Sequence, residues 1–290
     1  MKKKLPIFTT PEGRAQYIAA YEAMFALWKV PHDSIDVKTS YGSTHINVSE
    51  PSDGYPLVLL HGAGLSSTVW FANIANLSAN HRVYSVDIIG DAGKSVADRL
   101  IEQRTDYARW LREVFDELNI ERAYLLGHSY GGWLTLNMAL ANPDRLKAIV
   151  LLAPAAAIYP MSFLPNLGIH LMALKILRPS ARSVFKKISS KGAVFEETFI
   201  HLMEMVTRYC VPATIFPDVY SDEELRQIGL PALLLIGAGE KIYKPKKAIE
   251  RAQRLMPNLT AEIIPNAGHT LNMERPEIIN SRVLEFLSSN

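Results

Sequence analysis

The stretch Gly127-His128-Ser129-Tyr130-Gly131 constrains this chain more than any other part of it. It has the form Gly-x-Ser-x-Gly. The run Ala123-Tyr124-Leu125-Leu126 leads straight into it, and Gly132 to Leu140 reads as a helix behind it. Strand, sharp turn and helix form the setting in which this pentapeptide presents a nucleophile. The flanking glycines have no Cβ, so strand and helix can close around the corner and leave the Ser129 hydroxyl at its tip. Alone the pentapeptide is weak, because glycine-rich turns recur by chance. The strand before it and the helix after it give it weight.

The rest of the chain supplies a sheet for that corner. Leu57–Leu60, Val83–Val86, Tyr124–Leu126, Ile149–Leu152, Leu233–Ile236 and Ala261–Ile264 are short apolar runs separated by helical segments. Continuous rather than alternating apolar strands predict a parallel sheet covered on both faces. One covering helix is plain, since Tyr107, Trp110, Leu111, Val114, Phe115 and Leu118 share one helical face. Before the parallel part, Ser34–Thr39 and Thr44–Ser49 read as a hairpin joined by residues 40–43. Tyr17, Ile18, Tyr21, Met24, Phe25 and Trp28 predict an N-terminal helix laid on the main domain.

The rhythm breaks once. Roughly seventy residues without a clear strand separate the strand near 149–153 from that near 232–236. They carry Met161, Phe163, Leu164, Leu167, Met172, Leu174, Phe185, Phe195, Phe199, Leu202, Met203 and Met205. A structureless loop of that length does not suit a compact domain, so residues 158–222 are expected to form a helical cap over the carboxyl edge of the sheet. Residues 1–157 and 223–290 would then be the core. Ser221-x-x-Glu224 is a capping-box pattern that starts the helix leading back to the sheet. Most of the cap's apolar side chains pack internally, and a few are expected to wall the cleft.

Composition excludes several functions. The 290 residues, 48% hydrophobic, suit one α/β domain with an insertion. A net charge of +2, from 31 Lys and Arg against 29 Asp and Glu, gives no case for nucleic acid or an anionic membrane. Met1-Lys2-Lys3-Lys4 resembles the basic end of a signal peptide, but no apolar run follows it, so a cytoplasmic protein is expected. No stretch reaches the about eighteen apolar residues of a spanning helix. Cys210 is the only cysteine and is read as a packing residue. Gly90-Asp91-Ala92-Gly93-Lys94-Ser95 imitates a phosphate-binding loop, but Ile88 stands where that loop needs its first glycine. No His-Glu-x-x-His or Cys-x-x-Cys pattern occurs, and neither a metal nor a cofactor is expected.

A serine hydroxyl needs a base to take its proton, and the base needs a third group to hold it. The histidines are His32, His45, His61, His81, His128, His170, His201 and His269. His128 adjoins Ser129, but neighbours on a sharp turn point apart. His269 follows the last strand, on a loop at the carboxyl edge where catalytic groups of open α/β sheets gather, and it is the expected base. Glu240 ends the strand at 233–236 and is the expected acid, with Asp218 and Asp222 as alternatives. A solvated pairing of Glu240 with Lys241 or Lys244 is the inert reading. The oxyanion would be met by the backbone N–H of Tyr130 and, from His61-Gly62-Ala63-Gly64, that of Ala63.

Taken together, these residues resemble the α/β-hydrolase superfamily from about residue 34 onward. His61-Gly62 with Trp70, Asp87-Ile88-Ile89-Gly90 with Ser95, the Ser129 corner and Asn266-Ala267-Gly268-His269 stand in that family's order. The resemblance implies an α/β-hydrolase fold, a mostly parallel central sheet flanked by helices. The order nucleophile, acid, base is met by Ser129, Glu240 and His269. Within the superfamily the chain looks most similar to capped bacterial carboxylesterases. It departs by carrying Glu240 where the family more often has Asp, and by a Gly90–Ser95 segment one residue longer than usual. The longer segment is expected only to alter a loop near the entrance. The expected activity is hydrolysis of a small-molecule carboxylic ester of short to medium acyl chain by a monomer or weak dimer. The alternatives are a carbon–carbon bond hydrolase with the same triad, or a ligand receptor on the same fold.

Overall fold

In the computed structural model, residues 7–51, 53–162 and 179–290 are described. His170 and the insertion residues Phe163, Leu164, Leu167, Met172 and Leu174 lie outside them, as does the basic N-terminus.

The strands form one sheet: β1 (His32–Thr39), β2 (Gly42–Ser49), β3 (Tyr55–Leu60), β4 (His81–Val86), β5 (Val96–Ala97), β6 (Ala123–His128), β7 (Leu146–Leu152), β8 (Ala232–Gly237) and β9 (Leu259–Ile264). Their order is β1-β2-β4-β3-β6-β7-β8-β9, with β5 paired to β2. β1, β2 and β5 are antiparallel additions, whereas β4, β3, β6, β7, β8 and β9 run parallel. The expected hairpin and all six apolar runs are present as strands. The two-residue β5 has no sequence signal of its own.

Continuous apolar runs arise because both sheet faces are covered. On β3, Val58 and Leu60 enter one core while Leu57 and Leu59 enter the other; on β8, Leu234 and Ile236 oppose Leu233 and Leu235. Helices α1 (Pro11–Ala23), α2 (Ile74–Leu77), α3 (Arg104–Glu117) and α4 (Tyr130–Ala141) belong to the first half of the core. α3 and α4 fill the first face with Trp110, Phe115, Trp133 and Leu136, and α1 supports the second with Tyr17 and Tyr21. Among the described residues no helix is long and apolar enough to cross a membrane.

Between β7 and β8 the described residues hold α5 (Ala181–Ile188), α6 (Glu197–Tyr209) and α7 (Asp222–Gln227). The Ser221–Glu224 capping box opens α7, with both reciprocal bonds made. The described part of the insertion meets the ends of the strands. Ile188 C=O accepts the His269 N–H at 2.9 Å, and Gly90 C=O accepts the Ala213 N–H at 2.7 Å. α1 also reaches the insertion, beyond the expectation that it lies on the main domain. Thr9 N–H donates to Tyr209 C=O at 2.9 Å and Val211 N–H to Ile7 C=O at 2.6 Å. Cys210 is buried in that junction, within the apolar cluster of α6. After β8 come α8 (Pro245–Leu255), α9 (Leu271–Glu274) and α10 (Pro276–Ser288).

Candidate active site

β6 delivers Ser129 to the carboxyl edge, where the chain reverses into α4. Ser129 has φ +52° and ψ −112°, a backbone conformation that costs a side-chain-bearing residue about 1–3 kcal/mol. Three bonds hold it there. Its N–H donates to Leu152 C=O at 2.9 Å, and its C=O accepts the N–H groups of Trp133 and Ala155, each at 3.2 Å. The glycines are steric necessities. A Cβ on Gly127 would fall on the Gly131 carbonyl, and one on Gly131 would fall on the Leu60 carbonyl.

His269 comes to Ser129 because the loops after β8 and β9 are laced together. Ala238 N–H donates to Ile264 C=O and Gly239 N–H to Ala267 C=O, both at 2.8 Å. The imidazole Nε2 lies 2.8 Å from Ser129 Oγ, and Nδ1 lies 2.6 Å from Glu240 Oε2. The partners fix the tautomer. A carboxylate only accepts, so Nδ1 carries the proton and Nε2 is left to receive that of the serine. Glu240 Oε1 accepts the Ile242 N–H at 2.8 Å. Its carboxylate is therefore held at both oxygens, and all three side chains are buried.

The other candidates are engaged elsewhere. Asp218 Oδ1 accepts from Trp133 Nε1 at 3.2 Å. Asp222 accepts from Arg251 Nη2 at 2.7 Å and Arg254 Nη1 at 3.2 Å. Lys241, the partner in the inert reading of Glu240, donates instead to Ser189 C=O at 3.1 Å. His128 Nε2 donates to the backbone carbonyl of His269 at 2.9 Å. Burial, reinforced by the neighbouring His269, pushes His128 down to about 3, so its ring is neutral.

His61-Gly62-Ala63-Gly64 follows β3 and lies against the corner. A Cβ on Gly62 would stand 3.2 Å from Ser129 Cβ. Gly62 C=O is held by His61 Nδ1–H at 2.8 Å and by Leu65 N–H at 3.1 Å. Across a trans peptide the next N–H points opposite to that carbonyl, so the two donors also aim the Ala63 N–H. His61 Nε2 accepts from Ile88 N–H at 3.0 Å, and burial lowers its pKa. No described group accepts from the Ala63 amide, nor from that of Tyr130 in the first turn of α4.

Several supporting groups escaped the sequence reading. Glu274 accepts the N–H groups of Gly268, at 3.1 Å, and Ser190, at 2.8 Å, and so ties the His269 loop to the end of α5. The Gly90–Ser95 segment does more than shape an entrance. It wraps the buried Asp87, which accepts from Ser67 N–H and Lys94 N–H at 2.7 Å each. Asp91 of the same segment accepts from Gly64 N–H at 3.0–3.1 Å. Glu274 also accepts from Thr270 Oγ1, four residues earlier, at 2.7 Å, and no local pattern in the sequence marks any of these contacts.

Residues 57–282 match the alpha/beta hydrolase family. The carboxylesterase YbfK of Bacillus subtilis (strain 168) is 38% identical over 287 residues, which cover 97% of this chain and 96% of that one. The crystal structure of naproxen esterase (carboxylesterase NP) from Bacillus subtilis superposes with a TM-score of 0.91 at 37% identity, covering 96% of this chain and 99% of that one. A 2-hydroxy-6-oxononadienedioate/2-hydroxy-6-oxononatrienedioate hydrolase of Burkholderia vietnamiensis (strain G4 / LMG 22486) is 30% identical, over 89% of this chain and 93% of its own length.

Proposed function

The chain belongs to the alpha/beta hydrolase family, and from that premise we propose that it is a serine carboxylesterase acting through an acyl-enzyme on Ser129. The observation that carries the reading is the Ser129–His269–Glu240 chain of contacts, at 2.8 and 2.6 Å, on a strained strand-to-helix corner. In this mechanism Ser129 Oγ attacks the ester carbonyl carbon as His269 Nε2 takes its proton. Glu240 stabilises the imidazolium that forms. The N–H groups of Ala63 and Tyr130 receive the oxyanion. The imidazolium then gives its proton to the departing alcohol. Water, deprotonated by the same histidine, attacks the acyl-enzyme and releases the acid with Ser129 restored.

We read residues 158–222 as a helical lid on a core of 1–157 and 223–290. The bonds from Ile188 to His269 and from Ala213 to Gly90 support that reading. The carboxylesterase names of the relatives support an ester substrate. The apolar α6 approaches the oxyanion loop, with Val206 Cγ1 4.0 Å from where a Gly64 Cβ would stand. That neighbour favours a small apolar ester, and we assign a short to medium acyl chain.

The test is steady-state hydrolysis of p-nitrophenyl esters from acetate to palmitate, with Ser129→Ala beside the wild type. Sustained turnover peaking at short or medium chains and lost in the variant is expected. Turnover that survives in Ser129→Ala overturns the mechanism. The second reading, carbon–carbon bond hydrolysis by the same triad, rests on the Burkholderia relative's named substrate. Faster turnover of a vinylogous diketone than of any ester would favour it. A burst that stops after one acylation would instead favour a receptor.

A further inference from the structure

Asp91 is fully buried and lies in the segment where this chain has one residue more than the Gly-x-Gly-x-Ser form. Its carboxylate faces the oxyanion loop. Oδ1 and Oδ2 stand 3.1 and 3.0 Å from Gly64 N, and Oδ1 also accepts from Ala92 N–H at 2.7 Å. Ion pairs of the described residues do not include it, and the charge of Asp87 acts against its own. Asp91 is held by its own turn, since its N–H donates to Ile88 C=O at 3.1 Å. The preceding residue, Gly90, receives Ala213 N–H from the insertion.

The geometry of the loop gives these bonds a role. Ala63 lies between two clamped peptides. Gly62 C=O is held from one side by His61 and Leu65, and Gly64 N–H is held from the other by Asp91. The Ala63 N–H lies in the Gly62–Ala63 peptide that His61 and Leu65 aim, and fixing the Ala63–Gly64 peptide as well keeps that first peptide from turning about φ and ψ of Ala63. A donor aimed before the reaction starts is worth more than one that must reorient during it. We propose that Asp91 is a positioning residue for the oxyanion hole, clamping Gly64 so that the Ala63 N–H points at the developing oxyanion. This rests on the serine esterase reading above. An asparagine at position 91 that keeps its oxygen on Ala92 N–H turns its NH2 toward Gly64 N–H, where Oδ2 now accepts at 3.0 Å, and two donors facing each other loosen the clamp.

Burial is a cost that such a role explains. It raises the Asp91 carboxyl to about 7, with the charge of Asp87 adding to the effect and the amides of Ala92 and Gly64 opposing it. A carboxylate with no task at this place would be replaced at a gain in stability. A competing effect exists, because a negative charge beside a developing oxyanion opposes it.

The experiment compares wild type, Asp91→Asn and Ser129→Ala at pH 8 on p-nitrophenyl butyrate. Affinity is also measured for a trifluoromethyl ketone, which forms an oxyanion on the serine, and for the product acid, which does not. For Asp91→Asn, kcat is expected to fall about tenfold or more with KM within about threefold. Ketone affinity should fall by the same factor as kcat/KM, and product affinity should stay. The melting temperature should not drop, as it would for a purely structural residue. Asp91→Ser serves if the asparagine variant does not fold. Equal or higher kcat, or ketone and product affinities that fall together, overturns the proposal. A wild type without turnover, or activity in Ser129→Ala, overturns the esterase reading instead.

Discussion

Replacing Glu240 by glutamine tests how the site sets the histidine's proton. The side chain keeps its length and most of its shape. Ile242 N–H donates to Oε1 at 2.8 Å, and it selects which end of the amide turns its way. The amide oxygen must stay on that amide, so the NH2 faces His269 Nδ1, where Oε2 now stands at 2.6 Å. Two donors cannot share that contact. Nδ1 must give up its proton, and the proton moves to Nε2, 2.8 Å from Ser129 Oγ. The imidazole then donates to the serine instead of accepting from it, and general-base catalysis stops. Loss of the charge also removes the partner of the imidazolium. The corresponding change in serine proteases costs about 10⁴-fold in kcat, about 5 kcal/mol of transition-state stabilisation. We expect that order of loss here, with KM within about threefold because substrate does not touch Glu240. The assay is kcat and KM on p-nitrophenyl butyrate, with circular dichroism to show that the variant folds. A kcat within about tenfold of wild type would refute the argument.

Other consequences are as direct. Asp222→Asn and Asp218→Asn should leave kcat within about threefold, because Arg251 and Trp133 engage these carboxylates; a large loss in either would move the acid away from Glu240. Gly131→Ala drives a methyl group onto the Leu60 carbonyl and should cost about 2 kcal/mol or more in denaturant unfolding, whereas an unchanged midpoint contradicts the close approach at the corner. pH acts on two buried groups with opposite sign. His128 sits near 3 in the fold against about 6.5 unfolded, so its contribution to stability is lost as pH falls from 6.5 toward 3. Asp91 sits near 7 against about 3.9, so the folded state takes the proton first and stability rises as pH falls from 7 toward 4. The two oppose each other between about pH 4 and 6.5. Urea unfolding at pH 5 and 7.5 should show a steeper acid loss in Asp91→Asn and a shallower one in His128→Asn; equal slopes in all three proteins would contradict both assignments.

Much of this architecture is legible because its parts are local. β8, β3 from Leu57 onward and β7 from Ala148 onward are apolar at every step because each face meets its own core, and α3 shows its buried stripe directly. The corner at Ser129 is legible because only glycine fits on either side of it. The choice among Glu240, Asp218 and Asp222 is not local. It depends on the pairing of β8 with β9, which brings Glu240 to a histidine 29 residues away in the chain. The Asp91 clamp was illegible for the same reason. It joins a side chain to a backbone amide 27 residues earlier, and backbone amides leave no mark in a sequence. The extra residue was visible, but its spacing suggested only an altered entrance.

In the proposed mechanism one hydroxyl, that of Ser129, attacks. Incubation with a p-nitrophenyl alkylphosphonate, followed by intact-mass measurement and peptide mapping, tests it most directly. A single adduct on Ser129 in the wild type, absent in Ser129→Ala and slow to form in Glu240→Gln, is the predicted result. An adduct on any other residue, or labelling of Ser129→Ala at the wild-type rate, would contradict the account.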